Sequence, residues 1–108
     1  MINFLNETIA VIEKYEHSID DILYIGSDAN DFKTDWKTFS KYANFNYDNG
    51  YGGQNIADDL VVVFNDDTWL ERVEYDGAES WKYKKLPEIK STGILKSKYL
   101  LHYGYKYL

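Results

Sequence analysis

The sequence predicts an α+β fold in which two N-terminal helices pack on an antiparallel sheet of three to five strands. Apolar residues recur at helical spacing near the N-terminus, and a second helix-start signal follows at Asp35. Between about residues 59 and 86, three β-rich runs alternate with turn signals, which is typical of a β-meander. Residues 1–87 are therefore expected to form a single α+β domain. Residues 88–108 are expected to be a basic, tyrosine-rich C-terminal tail or an additional edge strand.

The first helix is predicted over about residues 3–15. Apolar side chains recur there every three or four residues, and Glu7 near the start and Lys14 near the end both suit the helix dipole. Asp35 is expected to cap the N-terminus of the second helix, because aspartate accepts hydrogen bonds from the first free amides of a helix. This helix should end before Asn46.

A short strand is expected over residues 20–26, leading into a polar loop from Ser27 to Thr34, and this strand could join the sheet. The run Leu60 to Phe64 is entirely apolar, so it is predicted as a strand at the centre of the sheet.

The remaining strands are predicted over residues 69–75 and 79–86, joined by a hairpin turn at Asp76-Gly77. Pro87 should end the last strand because proline lacks the backbone donor. With few leucines, aromatic rings must supply much of the core. The rings assigned to the core are Trp36, Phe39, Phe64, Trp69 and Trp81.

Composition excludes several classes of protein. The chain has 108 residues, 44% hydrophobic and 28% charged, which is typical of a globular domain. Cysteine is absent, so disulfide scaffolds, cysteine zinc sites and thiolate catalysis are excluded. No apolar run approaches the roughly 20 residues of a membrane span. The first residues lack the pattern of a signal peptide, so a cytoplasmic location and no membrane association are expected.

Charge is distributed unevenly along the chain. Residues 1–79 carry a formal charge of −12 and residues 80–108 carry +6, which gives the net charge of −6. Direct nucleic-acid binding is not expected, because the larger acidic part would repel phosphate. The acidic part instead suits a basic surface on a protein partner.

No pattern points to catalysis or to a cofactor. The stretch from Asp28 to Lys33 lacks the fifth-position ligand and the glycine of an EF-hand loop. The glycines at 50–53 lack the spacing of a phosphate-binding loop. Glu71 and Glu74 should point to opposite faces of a strand, so Arg72 and Glu74, on the same face, are expected to form a structural ion pair. The histidines and Ser80 have no local catalytic partners. No metal, cofactor or enzymatic activity is therefore expected.

The aromatic and glycine-rich stretch at 46–55 is the most unusual part of the chain. Three glycines in four positions favour a shaped turn, and this turn is expected to expose Tyr47 and Tyr51. Loops next to a rigid sheet are common places for binding residues. The predicted partner-binding residues are Asp28, Asp31, Tyr47, Asp48, Tyr51, Asp58 and Asp59.

From Tyr99 onwards, aromatic and apolar residues occupy alternate positions, as in a strand. Such a segment adds to a sheet edge, pairs with another copy, or frays. A homodimer through this tail is therefore one expectation.

Five segments of the chain form a pattern that is shared with other proteins: Asn46-Tyr47-Asp48-Asn49-Gly50-Tyr51-Gly52, Asp59-Leu60-Val61-Val62-Val63-Phe64, Trp69-Leu70-Glu71-Arg72, Glu74-Tyr75-Asp76-Gly77-Ala78-Glu79-Ser80-Trp81 and Leu86-Pro87. In this pattern the chain resembles a group of small uncharacterised proteins carried by phages and prophages of Gram-positive bacteria. The resemblance covers about residues 5–87, and residues 69–81 are its most specific part; Ser80 stands where a second aromatic would be expected. The group has no established site residues to carry over, and it implies action inside a bacterial host.

Two functions follow as expectations. The first is a non-enzymatic phage inhibitor of the anti-CRISPR kind, whose acidic surface occupies the nucleic-acid site of a CRISPR or other defence nuclease. The alternative is a self-associating phage structural or replication accessory module, which the apolar and aromatic residues of the tail favour.

Overall fold

The computed structural model describes residues 1–50 and 52–102, and it confirms the α+β class. A two-stranded sheet pairs β1 (Ile2–Asn3) with β4 (Asn46–Tyr47). The helices are α1 (Phe4–Lys14) and α2 (Trp36–Tyr42). The five-stranded sheet contains β2 (Ile22–Ser27), β3 (Phe32–Thr34), β5 (Val61–Phe64), β6 (Thr68–Tyr75) and β7 (Ala78–Lys85).

Side-chain caps fix where both helices begin. Asn3 accepts a hydrogen bond from the Asn6 amide at the start of α1. The Asp35 carboxylate accepts one from the Thr38 amide at 2.8 Å, so the predicted cap of α2 is confirmed. This bond favours the charged carboxylate and lowers the pKa of Asp35.

The larger sheet has the strand order β3-β2-β5-β6-β7, and every neighbouring pair is antiparallel. The early strand predicted over residues 20–26 joins the sheet as Ile22–Ser27, where Ile25 pairs with Val62. Its first two predicted residues belong instead to a short 3₁₀ helix, Ile19–Asp21. A bulge lies between Ile22 and Tyr24. The loop predicted up to Thr34 is shorter than expected, because its last three residues form the edge strand β3.

The core lies between one face of this sheet and α1. Val62, Phe64 and Leu70 are almost completely buried on that face, as is Ile12 on the helix. At the start of α1, the Phe4 ring stacks on Trp81 with ring centroids 5.8 Å apart. The buried side chains that form the core are Phe4, Ile12, Ile25, Phe39, Ala43, Tyr47, Ile56, Leu60, Val62, Phe64, Leu70 and Trp81.

Two aromatic assignments made from sequence are wrong. Tyr47, expected at the surface, is 5% exposed and belongs to the core. Trp69, expected in the core, is only partly buried and lies on the sheet face opposite α1. Trp36 packs against the edge of the core as a partly buried ring.

The C-terminal segment makes little contact with the domain. Residues 86–100 are exposed throughout, and Ser97–Leu100 form a short 3₁₀ turn rather than the strand that alternation predicts. The rest of that alternation, residues 103–108, lies outside the described residues. No helix in the described part of the chain has the length and apolarity needed to cross a bilayer.

Candidate protein-binding site

Antiparallel pairing brings several acidic loops to one end of the five-stranded sheet. The β2–β3 turn, the segment entering β5 and the β6–β7 hairpin all lie at this end. The loop after β4 joins them, because the Asn49 carbonyl accepts a hydrogen bond from the Glu79 amide at 2.8 Å. We call this region the acidic end. Its carboxylates are Asp28, Asp31, Asp48, Asp58, Asp59, Glu74 and Asp76.

Three of these carboxylates line one pocket of about 510 Å³, here called the acidic pocket. Gly26 is one of its lining residues, and this position requires glycine. A Cβ atom there would lie 2.8 Å from the backbone oxygen of Phe32, which is closer than real Cβ contacts allow. The lining residues are Tyr24, Gly26, Ser27, Asp28, Asp31, Phe32, Lys33, Asp59 and Val61.

Asp59 connects the entrance of β5 to the β2–β3 turn. Its carboxylate accepts the Ser27 hydroxyl at 2.6 Å and the Ala29 amide at 2.8 Å. The Ser27 oxygen in turn accepts the Asn30 amide at 3.1 Å. The Ser27 hydroxyl, followed by the Ala29 amide, lowers the pKa of Asp59 because both bonds favour the charged form. Asp59 therefore keeps a fixed negative charge in the pocket.

Of the predicted partner-binding residues, Asp28, Asp31 and Asp59 come together in the acidic pocket. Asp48 and Asp58 lie at the same end of the sheet but outside the pocket. Tyr51 lies outside the described residues, and Tyr47 is buried.

A buried carboxylate anchors the loop that follows β4. The two oxygens of Glu79 accept the backbone amides of Asn55, at 2.7 Å, and Ile56, at 3.0 Å. One of these oxygens also lies 3.7 Å from Nη2 of Arg72, and both side chains are completely buried. This loop is therefore held by the core as well as by its own turns.

Arg72 forms its ion pairs across the core. Its guanidinium lies 3.5 Å from Glu7 on α1 and donates to the Tyr47 hydroxyl at 3.0 Å. The Tyr47 hydroxyl donates to the other Glu7 oxygen at 2.5 Å. The predicted pair of Arg72 with Glu74 is wrong, because Glu74 accepts the Gly77 amide of the hairpin turn instead.

Aromatic rings surround the same guanidinium. The Arg72 Cζ atom lies 4.8 Å from the Trp81 ring centroid, 5.3 Å from Phe4 and 6.0 Å from Tyr47, within cation–π range of all three. These contacts offset part of the cost of burying the guanidinium charge.

The sheet face opposite α1, here called the open face, continues from the acidic pocket. Tyr24 lines the pocket beneath the Lys33 ammonium, which lies 4.3 Å from the ring centroid. Val63 pairs with Tyr24 on one side and with Trp69 on the other. The Trp69 indole donates to Glu71 at 3.0 Å, which fixes the ring. Partly exposed Trp and Tyr side chains of this kind are typical anchors of protein interfaces.

Sequence reasoning missed Tyr24, Lys33 and Trp69 as candidate binding residues. One signal was available for Trp69. Strand alternation places its side chain on the other face of the sheet from Leu70, and Leu70 lies on the buried face.

Comparison with family models, curated proteins and solved structures finds no match. The site must therefore be interpreted from its own chemistry. Within residues 1–50 and 52–102, no group of three or more His, Asp or Glu side chains is arranged to hold a metal ion.

A second cluster surrounds His17 at the other end of the sheet. The imidazole stacks on the Phe64 ring with centroids 4.0 Å apart, and Nδ1 lies 3.0 Å from the Asp21 carboxylate. Nε2 lies within 3.3 Å of oxygens of Thr68, Tyr83 and Asp66. Asp–His–Thr geometry resembles that of a nucleophile and its base, but Thr68 is buried and donates its own proton to Asp66. This cluster connects the end of α1 to the β5–β6 turn.

Proposed function

We propose that this chain is a non-enzymatic inhibitor that binds a basic surface of a bacterial host protein through its acidic end. One observation carries the proposal: the acidic pocket presents Asp28, Asp31 and Asp59 beside an aromatic ring. A lysine or arginine side chain fits this chemistry, because the carboxylates would pair with its charge. The Tyr24 ring would pack against the aliphatic chain of a lysine or the guanidinium plane of an arginine.

The resemblance to phage and prophage proteins supports the choice of target. A defence nuclease of the CRISPR kind has a basic groove for nucleic acid, and an acidic surface can compete for such a groove. The open face adds Trp69, two strands from Tyr24 across Val63, which supplies the apolar contact that charge alone does not.

The test begins with an affinity pull-down from a lysate of a Gram-positive host that carries a CRISPR system. The captured protein is then titrated with the wild-type chain and with Asp28→Asn/Asp31→Asn. These residues are exposed, so the fold should be unaffected. The double variant should bind roughly 10-fold more weakly or worse, and raised salt should weaken wild-type binding.

Asp20→Asn/Asp67→Asn is the matched control, since it removes the same charge from exposed positions at the opposite end of the sheet. Equal losses from both double variants would indicate a general charge effect and contradict a role for the pocket. Binding that does not change with salt would contradict competition for a nucleic-acid groove.

A second candidate function is a self-associating phage structural or replication accessory module. The observation that favours it is the exposed C-terminal segment, whose apolar side chains find no cover within the described chain.

A further inference from the structure

We infer that an apolar groove on this domain receives the C-terminal segment of a second copy. The groove runs between α2, the edge strand β3 and the segment before β5, on the side of the sheet that carries the helices. Its volume is about 600 Å³, within the range of binding clefts. Its apolar lining includes Phe32, Phe39, Tyr42, Phe45, Ile56 and Leu60.

The groove is open to an extended chain. β3 pairs only with β2 in the sheet, so its outer edge of backbone donors and acceptors faces away from the other strands. Three rings at the rim are accessible: Phe32 is 42% exposed, Phe45 43% and Tyr42 72%. An extended segment at such an edge gains backbone hydrogen bonds while its side chains enter the groove.

The C-terminal segment has the complementary chemistry. Ile94 is 85% exposed and Leu95 68%, and no element of the domain covers them. Residues 86–102 carry three lysines and one glutamate. The turns that flank the groove carry Asp31 and Asp58. Apolar side chains therefore match the apolar lining of the groove. Asp31 and Asp58 in the flanking turns can pair with lysines of the segment, while the lining itself carries Lys33.

Geometry favours a second copy as the source of the segment. The segment leaves from the end of β7, which is the opposite edge of the sheet from β3 and the opposite end from the acidic loops. Four strand spacings, about 19 Å, separate these edges. No residue of 86–102 lines the groove of its own chain. The chain is extended, with a radius of gyration of 17.6 Å against about 13 Å for a compact domain of this length.

The inference rests on the self-association candidate above. The groove shares Phe32 and Lys33 with the acidic pocket, so the test measures the mass of the assembly, which binding of a basic partner at the pocket does not predict. Light scattering on the full chain is the first measurement. The wild-type chain at about 100 µM should have twice the chain mass of 12.7 kDa. Ile94→Asp/Leu95→Asp in the segment and Tyr42→Asp in the groove should each return it to a monomer. Tyr75→Asp is the control, because Tyr75 is more exposed than Tyr42 and lies at the end of β6, away from the groove.

The outcomes separate the two claims. A dimer that is lost in the segment variant and kept in Tyr42→Asp would leave self-association standing and overturn the groove as its receptor. A wild-type monomer would overturn both claims. A dimer unchanged in both variants would leave self-association standing and overturn the docking of the segment in the groove. Circular dichroism of each variant checks that the fold is retained.

A spin label identifies which copy supplies the segment. The chain has no cysteine, so Ser97→Cys gives a single attachment site. Spin-labelled Ser97→Cys protein without ¹⁵N is mixed with ¹⁵N-labelled wild-type protein that has no spin label. Broadening of the Thr34 and Thr38 amide signals is expected in this mixture. Broadening only when both labels are on the same molecule would show docking within one chain and would overturn the exchange between copies.

Discussion

The carboxylate of Glu79 accepts the backbone amide of Asn55 at 2.7 Å, across 24 residues of sequence. Through this bond a residue of the buried sheet face fixes the loop that follows β4, and through Arg72 the same carboxylate is tied to α1. The position of a surface loop at the acidic end therefore depends on a charge in the core.

Glu79→Gln should destabilise the domain by about 3 kcal/mol, because it leaves the buried Arg72 with one charged partner fewer. The amides of Asn55 and Ile56 should also exchange faster with solvent. Urea unfolding and hydrogen exchange measure the two effects. Glu74→Gln is the control, since Glu74 is exposed and Gln can still accept the hairpin amide. Unchanged exchange at Asn55 in Glu79→Gln would contradict the anchoring role.

Thr8→Val should cost about 1–2 kcal/mol although the side chain keeps its shape. The Thr8 hydroxyl accepts the Trp81 indole at 2.9 Å, and valine would leave that N–H buried without a partner. Thr8→Ser keeps the hydroxyl and serves as the control for the hydrogen bond. Denaturant unfolding measures both variants. Equal stability of Thr8→Val and wild type would show that this hydrogen bond makes no net contribution to the free energy of unfolding.

Stability should fall at alkaline pH through Tyr47. Burial, followed by the Glu7 carboxylate, raises the pKa of Tyr47 to about 12, against about 10 in an unfolded chain. The folded state thus retains the proton where the unfolded state releases it. The resulting stabilisation is complete below pH 10 and declines as the pH rises from about 10 to 12.

Tyr47→Phe should remove this decline, so the difference in unfolding free energy between wild type and variant should shrink over that range. At neutral pH the variant should be less stable by about 1–3 kcal/mol, because Arg72 and Glu7 each lose a hydrogen bond. Tyr75→Phe is the control at an 85% exposed position. A parallel pH dependence of Tyr47→Phe and wild type would contradict the assignment.

Gly26→Ala should destabilise the β2–β3 turn and deform the acidic pocket. The added methyl group would meet the Phe32 backbone oxygen at 2.8 Å, and backbone cannot yield as a flexible side chain can. A cost of about 1–3 kcal/mol is expected from the overpacking. Gly53→Ala is the matched control, since nothing lies within 4 Å of its added Cβ. Thermal unfolding compares the two, and equal midpoints would show that the turn adapts.

Local signals were sufficient to predict most of the regular structure. The period of α1, the Asp35 cap of α2 and the Asp76-Gly77 turn each depend on residues close in sequence, and each is present. The two-residue strands β1 and β4 had no such signal, because each exists only through the other, more than 40 residues away.

The buried charges could not be predicted for the same reason. Glu74 is the acidic neighbour of Arg72 in sequence, but the partner across the core is Glu7, 65 residues away. Tyr47 is buried because it completes that pair, a requirement invisible within its glycine-rich surroundings. The acidic pocket was partly predictable, because alternate loops of an antiparallel sheet lie at the same end. The strand order that places β2 beside β5 could not be predicted from the sequence.

The strand order also has a consequence for how the chain acquires its structure during synthesis. β2 leaves the ribosome long before β5, its inner neighbour, and meanwhile has only the short β3 to pair with. The three consecutive strands β5, β6 and β7 can pair starting from the turns that join them. Contacts between residues close in sequence form faster than contacts between distant ones. We therefore expect the C-terminal half to fold first and the earlier half to add to it. A nascent chain released near residue 58 would contain both helices but would lack strands β5, β6 and β7, which supply much of the sheet face that the helices pack against.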